Sequence, residues 1–216
     1  MKPTRALVGA TLFALVVALV WRGAGPTGGG GLVTGRLVGP VGSGTVVLLV
    51  DPPAGVGVPA EVGPDGRFEV RVPPGAPEPW VVVDTGQGAL VQTGSLSPSS
   101  PTALPPLRVW QTEVRARGHA GRVRVDWSPI PEGEGLPQKA RYSLLVKYAR
   151  DDRAEGEATF PATEAALELD VQGELLPYLP HRAPGPQTLE LLVRAFDPTD
   201  PGGPMWIGGL TTFPVE

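Results

Sequence analysis

The chain has 216 residues, including 30 glycines and 27 prolines, with a formal net charge of -4. Both signs are scattered, so no basic stripe is present to neutralise phosphates, and nucleic acid is excluded as a partner. Cysteine is absent, which excludes disulfides, thiolate metal sites, a cysteine nucleophile and a lipoprotein-type anchor.

Glycine and proline make up about a quarter of the residues, near the low-complexity boundary. Here they punctuate short apolar runs, which is the pattern of strands joined by turns. Isoleucine occurs only at Ile130 and Ile207, and lysine only at Lys2, Lys139 and Lys147. That bias fits a GC-rich bacterial genome.

Lys2 and Arg5 precede an uncharged run, Ala6 to Trp21, that ends at Arg22. As a helix it spans ~24 Å. That nearly matches the ~30 Å hydrocarbon core if Arg5 and Arg22 snorkel and Trp21 sits at the interface. A signal peptide has the same basic start and apolar centre, but cleavage sites are poor. Cutting after Ala24 puts Arg22 at -3, and cutting after Gly25 leaves Pro26 at +1. Residues 1–22 therefore read as a signal-anchor in preference to a cleaved signal peptide. The basic residues stay in the cytoplasm and the rest lies outside: periplasmic or extracellular on the inner membrane, or secreted if cleavage occurs. Residues 23–30 form a Gly-rich tether. Gly23, Gly25 and Gly28 match G-x-G-x-x-G, but no strand precedes them and no helix follows, so no dinucleotide cofactor is expected.

Residues 31–110 form a first β-domain. Gly31 to Val38 and Thr45 to Val50 are short apolar runs. Phe68, Val70 and Val72 alternate with Arg67, Glu69 and Arg71, the two-residue period of a half-buried strand, and Asp65-Gly66 before them marks a tight turn. Trp80 to Val83 and Ala89 to Gln92 form a further pair, and Leu107 to Trp110 is a last candidate strand. Asp65, Gly66, Phe68, Val70, Val72 and Gly75 match a D-G-x-F-x-[VL]-x-[VL]-x-x-G stretch. On these residues the segment resembles the carboxypeptidase regulatory-like domain, a transthyretin-like sandwich. The resemblance implies a fold and a non-catalytic accessory role, and carries no active-site residues. Ser95 to Pro106 is read as a long loop of this domain, with a linker and a boundary near residue 95 as the alternative.

Residues 111–216 form a second β-domain with stronger alternation: Val123, Val125 and Trp127; Tyr142, Leu144, Val146 and Tyr148; Leu189, Leu191, Val193 and Ala195. Short strands over ~100 residues indicate a Greek-key sandwich. With Leu176-Pro177 at a turn, this half resembles a fibronectin type III domain. The family's corner tyrosine falls at Leu189, so either Tyr178 substitutes for it or the domain is a divergent relative. Glu164 to Leu169 is read as a strand, although Leu167, Val171 and Leu175 also have helical spacing. The expected fold is thus all-β: two tandem immunoglobulin-like, Greek-key sandwiches after one N-terminal hydrophobic helix.

No catalytic triad can be assembled. His119 lies in a turn-like RGHAGR and His181 in a Pro-rich loop, and both read as plain loop residues. Asp197 and Asp200, with Asp151 and Asp152 on another loop, are the best cation candidates, yet such steps are ordinary turn formers. No catalytic, cofactor or metal residue is assigned. Trp80, Trp110 and Trp206 are the only candidates for a binding surface, one that could stack sugars or meet a protein. The reading is a non-enzymatic, membrane-anchored module of the bacterial cell envelope. It binds other envelope proteins through strand edges and loops. The alternative is a secreted carbohydrate-binding module, which requires exposed, coplanar aromatics.

Overall fold

The computed structural model describes residues 30–215 except 40–41, 43, 52–55, 74–75, 77, 98–100, 151–152, 176 and 178–186. The expected helix over 1–22 and its tether up to residue 29 lie outside the described residues, as do Gly75, Asp151, Asp152, Leu176, Tyr178, His181 and the side chain of Tyr148. Among the described residues no helix is long and apolar enough to cross a membrane.

The fold is all-β. The first half contributes β1 (Leu32–Arg36), β2 (Val46–Asp51), β3 (Val56–Val62), β4 (Arg67–Arg71), β5 (Trp80–Asp84), β6 (Leu90–Gln92) and a short β7 (Thr102–Ala103). The second contributes β8 (Arg115–His119), β9 (Arg122–Asp126), β10 (Arg141–Arg150), β11 (Arg153–Ala162), β12 (Ala166–Asp170), β13 (Gln187–Phe196) and β14 (Met205–Val215). The clean alternation read over residues 67–72 is realised: Phe68, Val70 and Val72 are buried, while Arg67, Glu69 and Arg71 are exposed. The Asp65-Gly66 turn depends on its glycine. Gly66 has φ +79°, and a Cβ there would come within 2.5 Å of the Leu37 carbonyl oxygen.

In the first half, β4, β1 and β7 form one layer, and β6, β5 and β2 form the facing one. Strand β3 serves both, pairing with β2 along Val56–Ala60 and with β4 at Glu61 and Val62. Part of the stretch 95–106 returns to this half: β7 runs parallel to β1, and the Leu104 N–H donates to the Thr34 carbonyl at 2.8 Å. In the second half, β12-β9-β8 faces β11-β10-β13-β14, a three-on-four immunoglobulin-like sandwich. The segment read as a strand over 164–169 is β12, shifted to Ala166–Asp170. The helical spacing is also real, but it belongs to the π-helical turn Val171–Leu175 that follows, where Val171 and Leu175 are buried.

A ladder that periodicity alone does not reveal joins the halves. β6 pairs with β14 through Gln92–Met205, Val91–Trp206 and Leu90–Ile207. One long layer therefore runs β11-β10-β13-β14-β6-β5-β2-β3 through the whole molecule. The buried residues of both halves form a single core cluster. Leu107–Trp110, expected as a strand, makes only one parallel bridge, Leu37 to Leu107. The reason is that the chain here crosses the seam. The Trp206 indole N–H donates to the Arg108 carbonyl at 2.9 Å, and Thr112 N–H donates to the Gly208 carbonyl at 2.8 Å. Trp110 and Trp127 each lie 5.8 Å from the Tyr142 ring, and the Tyr142 hydroxyl accepts from Ile130 N–H at 2.9 Å. Gly208 stands where the β13–β14 register shifts, and a Cβ there would come within 2.5 Å of the Trp110 ring.

Magnitudes rank the seam contacts. A buried tryptophan removes about 200 Å² from water, roughly 5 kcal/mol gross before entropy. The Arg36–Glu134 ion pair also bridges the halves, at 2.6 Å, but both partners are about half exposed. Such a pair contributes ~0–1 kcal/mol, so the tryptophans dominate. Trp206→Phe keeps a six-membered aromatic ring but removes the pyrrole ring, leaving the Arg108 carbonyl without its donor. It is expected to lower stability by about 1–3 kcal/mol in urea unfolding followed by circular dichroism. Gly208→Ala is expected to cost a similar ~1–3 kcal/mol by overpacking Trp110.

Candidate functional site

The long layer has two faces of different character. Alternation turns Val47, Leu49, Val81, Val83, Val91, Trp206 and the odd-numbered residues 189 to 195 into the core. The intervening residues face the other way. Leu48, Val82, Leu90 and Leu145 on this outer face are also buried, yet they are not part of the core cluster. Val46 (42% exposed) and Phe196 (38%) are the exposed large hydrophobics among the described residues, and both belong to this face. Trp80, Val50, Leu192 and Ile207 on it are partly exposed.

Registers place one row of side chains across the seam. Val46 pairs with Asp84, Asp84 with Leu90, Leu90 with Ile207, Ile207 with Arg194, and Arg194 with Ser143. An apolar centre, Leu90 and Ile207, is thus flanked by an acid on one side and a guanidinium on the other. The Asp84 carboxylate accepts from Gly86 N–H at 2.8 Å. Arg194 donates from Nη2 to the Thr159 hydroxyl at 2.7 Å, while its Nε is buried with no hydrogen-bond partner among the described residues. Desolvation on this half-buried face pulls the Arg194 pKa below its ordinary value, and Glu157 partly offsets it. Beside Arg194 lies a shallow depression of about 440 Å³, lined among others by Pro161, Phe196, Pro204 and Met205.

The strands at the two ends of this layer each carry a proline, Pro59 on β3 and Pro161 on β11. Proline offers no N–H to an added strand, a common device against edge-to-edge pairing.

The three tryptophans expected at a binding surface separate. Trp80 is partly exposed on the outer face. Trp110 (3% exposed) and Trp206 (4%) are core residues of the seam, so they cannot offer a stacking platform. Burying those rings is worth more than displaying them, and the Trp206 N–H finds its partner inside. Sequence reasoning missed Val46, Asp84, Leu90, Phe196, Ile207 and Arg194.

His119 is exposed at the end of β8, opposite Arg122. Asp197 and Asp200 belong to a tight turn. The Asp197 carboxylate accepts from the Thr199 hydroxyl at 2.6 Å and the Thr199 N–H at 2.8 Å. These bonds, the hydroxyl first, hold its carboxyl below the usual range. Among the described residues no three metal-ligating side chains cluster.

No family model and no curated protein matches the chain. Among solved structures it is similar to a candidate carbohydrate-binding protein from Bacteroides uniformis, with 9% identity, a TM-score of 0.30, and coverage of 87% of this chain and 100% of that one. It is also similar to the FN1–FN3 domains of chicken CNTN1 (14%, TM-score 0.30, 80% of this chain and 55% of that one). A third similar structure is a DUF3823 family protein from Bacteroides ovatus (9%, TM-score 0.29, 84% and 97%). Overlaps this loose transfer no function.

Two outcomes test the site's description. In an NMR titration Asp197 is expected to protonate below the ordinary carboxylate midpoint, and Thr199→Val raises that midpoint. Because its folded pKa is depressed, its contribution to stability is present above the unfolded pKa and lost as pH falls. Millimolar calcium is expected to leave the Asp197 titration unmoved. Second, Val46→Ser and Phe196→Ser are expected to change stability by less than ~0.5 kcal/mol, whereas Leu191→Ser in the core costs several-fold more.

Proposed function

We propose that this chain is a non-enzymatic, extracytoplasmic protein-binding or structural module of the bacterial cell envelope. Residues 6–21 hold it in the inner membrane, and it docks partners on the outer face of the long layer. One observation carries the reading. Strands β2, β5 and β6 of that layer are largely apolar on the side facing away from the core, through Val46, Leu48, Val50, Trp80, Val82 and Leu90. The exposed large hydrophobics among the described residues, Val46 and Phe196, lie on that side. A face of this kind is built for contact with another surface. The tether favours the same role. From residue 23 to 30 the chain reaches at most about 27 Å when extended, which keeps the sandwiches beside the bilayer.

Carbohydrate binding is the weaker reading. With Trp110 and Trp206 in the core, it rests on Trp80 alone.

Membrane fractionation tests the placement. The full chain is expected to stay in the pellet after alkaline carbonate extraction, with its N-terminal peptide intact by mass spectrometry. In intact cells its sandwiches should be open to periplasmic or external labelling only. Recovery from the cytosol, or of a mature chain beginning near Gly25, contradicts the anchor. Retained binding to polysaccharide that is lost in Trp80→Ala would favour the carbohydrate reading.

A further inference from the structure

We infer that the outer face of the long layer is a self-docking surface, and that its occupant is a second copy of this chain, related by a two-fold axis through the seam. The inference rests on the reading of that face as the docking surface, and names the partner.

Charge and symmetry make the case. In the row across the seam, Asp84 and Arg194 lie on opposite sides of the Leu90–Ile207 pair, one strand beyond each. A two-fold axis between Leu90 and Ile207 sets Asp84 of each copy over Arg194 of the other. It also lays the apolar pair on its own image. An isologous contact requires such a self-complementary patch. Arg194 has hydrogen-bonding capacity to spare, because among the described residues only Nη2 is engaged by a side chain. Arginine and carboxylate pair well when partly desolvated.

Strands lie ~4.8 Å apart, so the layer is about 35 Å wide. Its two halves overlap along the strands only across the seam, where Leu90–Gln92 meets Met205–Ile207, so the self-docking contact is a narrow one centred on the row from Val46 to Ser143. Two sheet faces pack naturally at ~10 Å with a modest rotation. Because the contact is isologous, each copy uses the same patch and the association closes at two copies. A tether that holds both copies near one bilayer raises their effective concentration.

The absence of cysteine gives a clean test. Single-cysteine full-length chains, Ile207→Cys or Leu90→Cys, are oxidised in native membranes and in mild detergent. Both residues sit near the proposed axis, so a covalent dimer is expected. Arg124→Cys, exposed on the opposite layer, should stay monomeric. Circular dichroism confirms folding of each variant, and having two axis positions guards against one of them misfolding. In sedimentation of the cysteine-free chain, Asp84→Arg is expected to weaken self-association about tenfold or more. Asp84→Arg with Arg194→Asp should restore it. A monomer at all concentrations, crosslinking at Arg124→Cys as strong as at Ile207→Cys, or a dimer indifferent to both charge reversals would each overturn the proposal. If the monomer is nevertheless retained in the membrane, the anchor survives and only the dimer fails. Crosslinked dimer released from the membrane separates the two the other way.

Discussion

The short ladder between Leu90–Gln92 and Met205–Ile207 is the constraint on which the rest of the molecule depends. Its hydrogen bonds are few, each worth about 1 kcal/mol net. Its effect is geometric: it fixes one register between two sandwiches, so that inward residues of one half continue as inward residues of the other. Val91 and Trp206 face the shared core together, and Leu90 and Ile207 face outward together. Without that register there would be two small outer faces at an arbitrary angle. With it there is one surface, crossed by the row from Val46 to Ser143.

Tryptophan holds the seam. Trp206 contributes apolar area and one buried hydrogen bond to the crossing segment, and Trp110 fills the space that Gly208 leaves open. The rings that would suit a sugar platform are used to fuse the halves.

Much of the architecture was legible in the sequence, because strands with one wet face announce themselves. Residues 67–72 and 122–127 alternate strictly, and both lie in the smaller layers with one side in solvent. In the long layer, β10 and β13 were legible together with their inward faces, since Tyr142, Leu144 and Val146, and Leu189, Leu191, Val193 and Ala195, alternate and are buried in the core, whereas β2 and β5 were legible as strands only. Runs such as Val46 to Val50 and Trp80 to Val83 are apolar at consecutive positions, and a continuous run does not say which face is inward. That same continuity was the available clue to the outer face, since strands covered on both sides read as unbroken apolar stretches. The β6–β14 pairing had no local signature: it joins segments more than a hundred residues apart, and nothing in either one names the other. The fate of Trp110 and Trp206 depended on that pairing and was equally hidden. The overlap of strand and helical spacing around Leu167, Val171 and Leu175 came from one element following directly on another.

The central claim is that the two sandwiches share one continuous layer. Amide hydrogen exchange read by mass spectrometry over peptides covering 90–92 and 205–207 tests it most directly. A true seam predicts protection in both peptides comparable to core strands β5 and β13, lost only when the whole molecule opens. Rapid exchange in these peptides while β5 and β13 stay protected would contradict it, leaving two independent sandwiches and no common face.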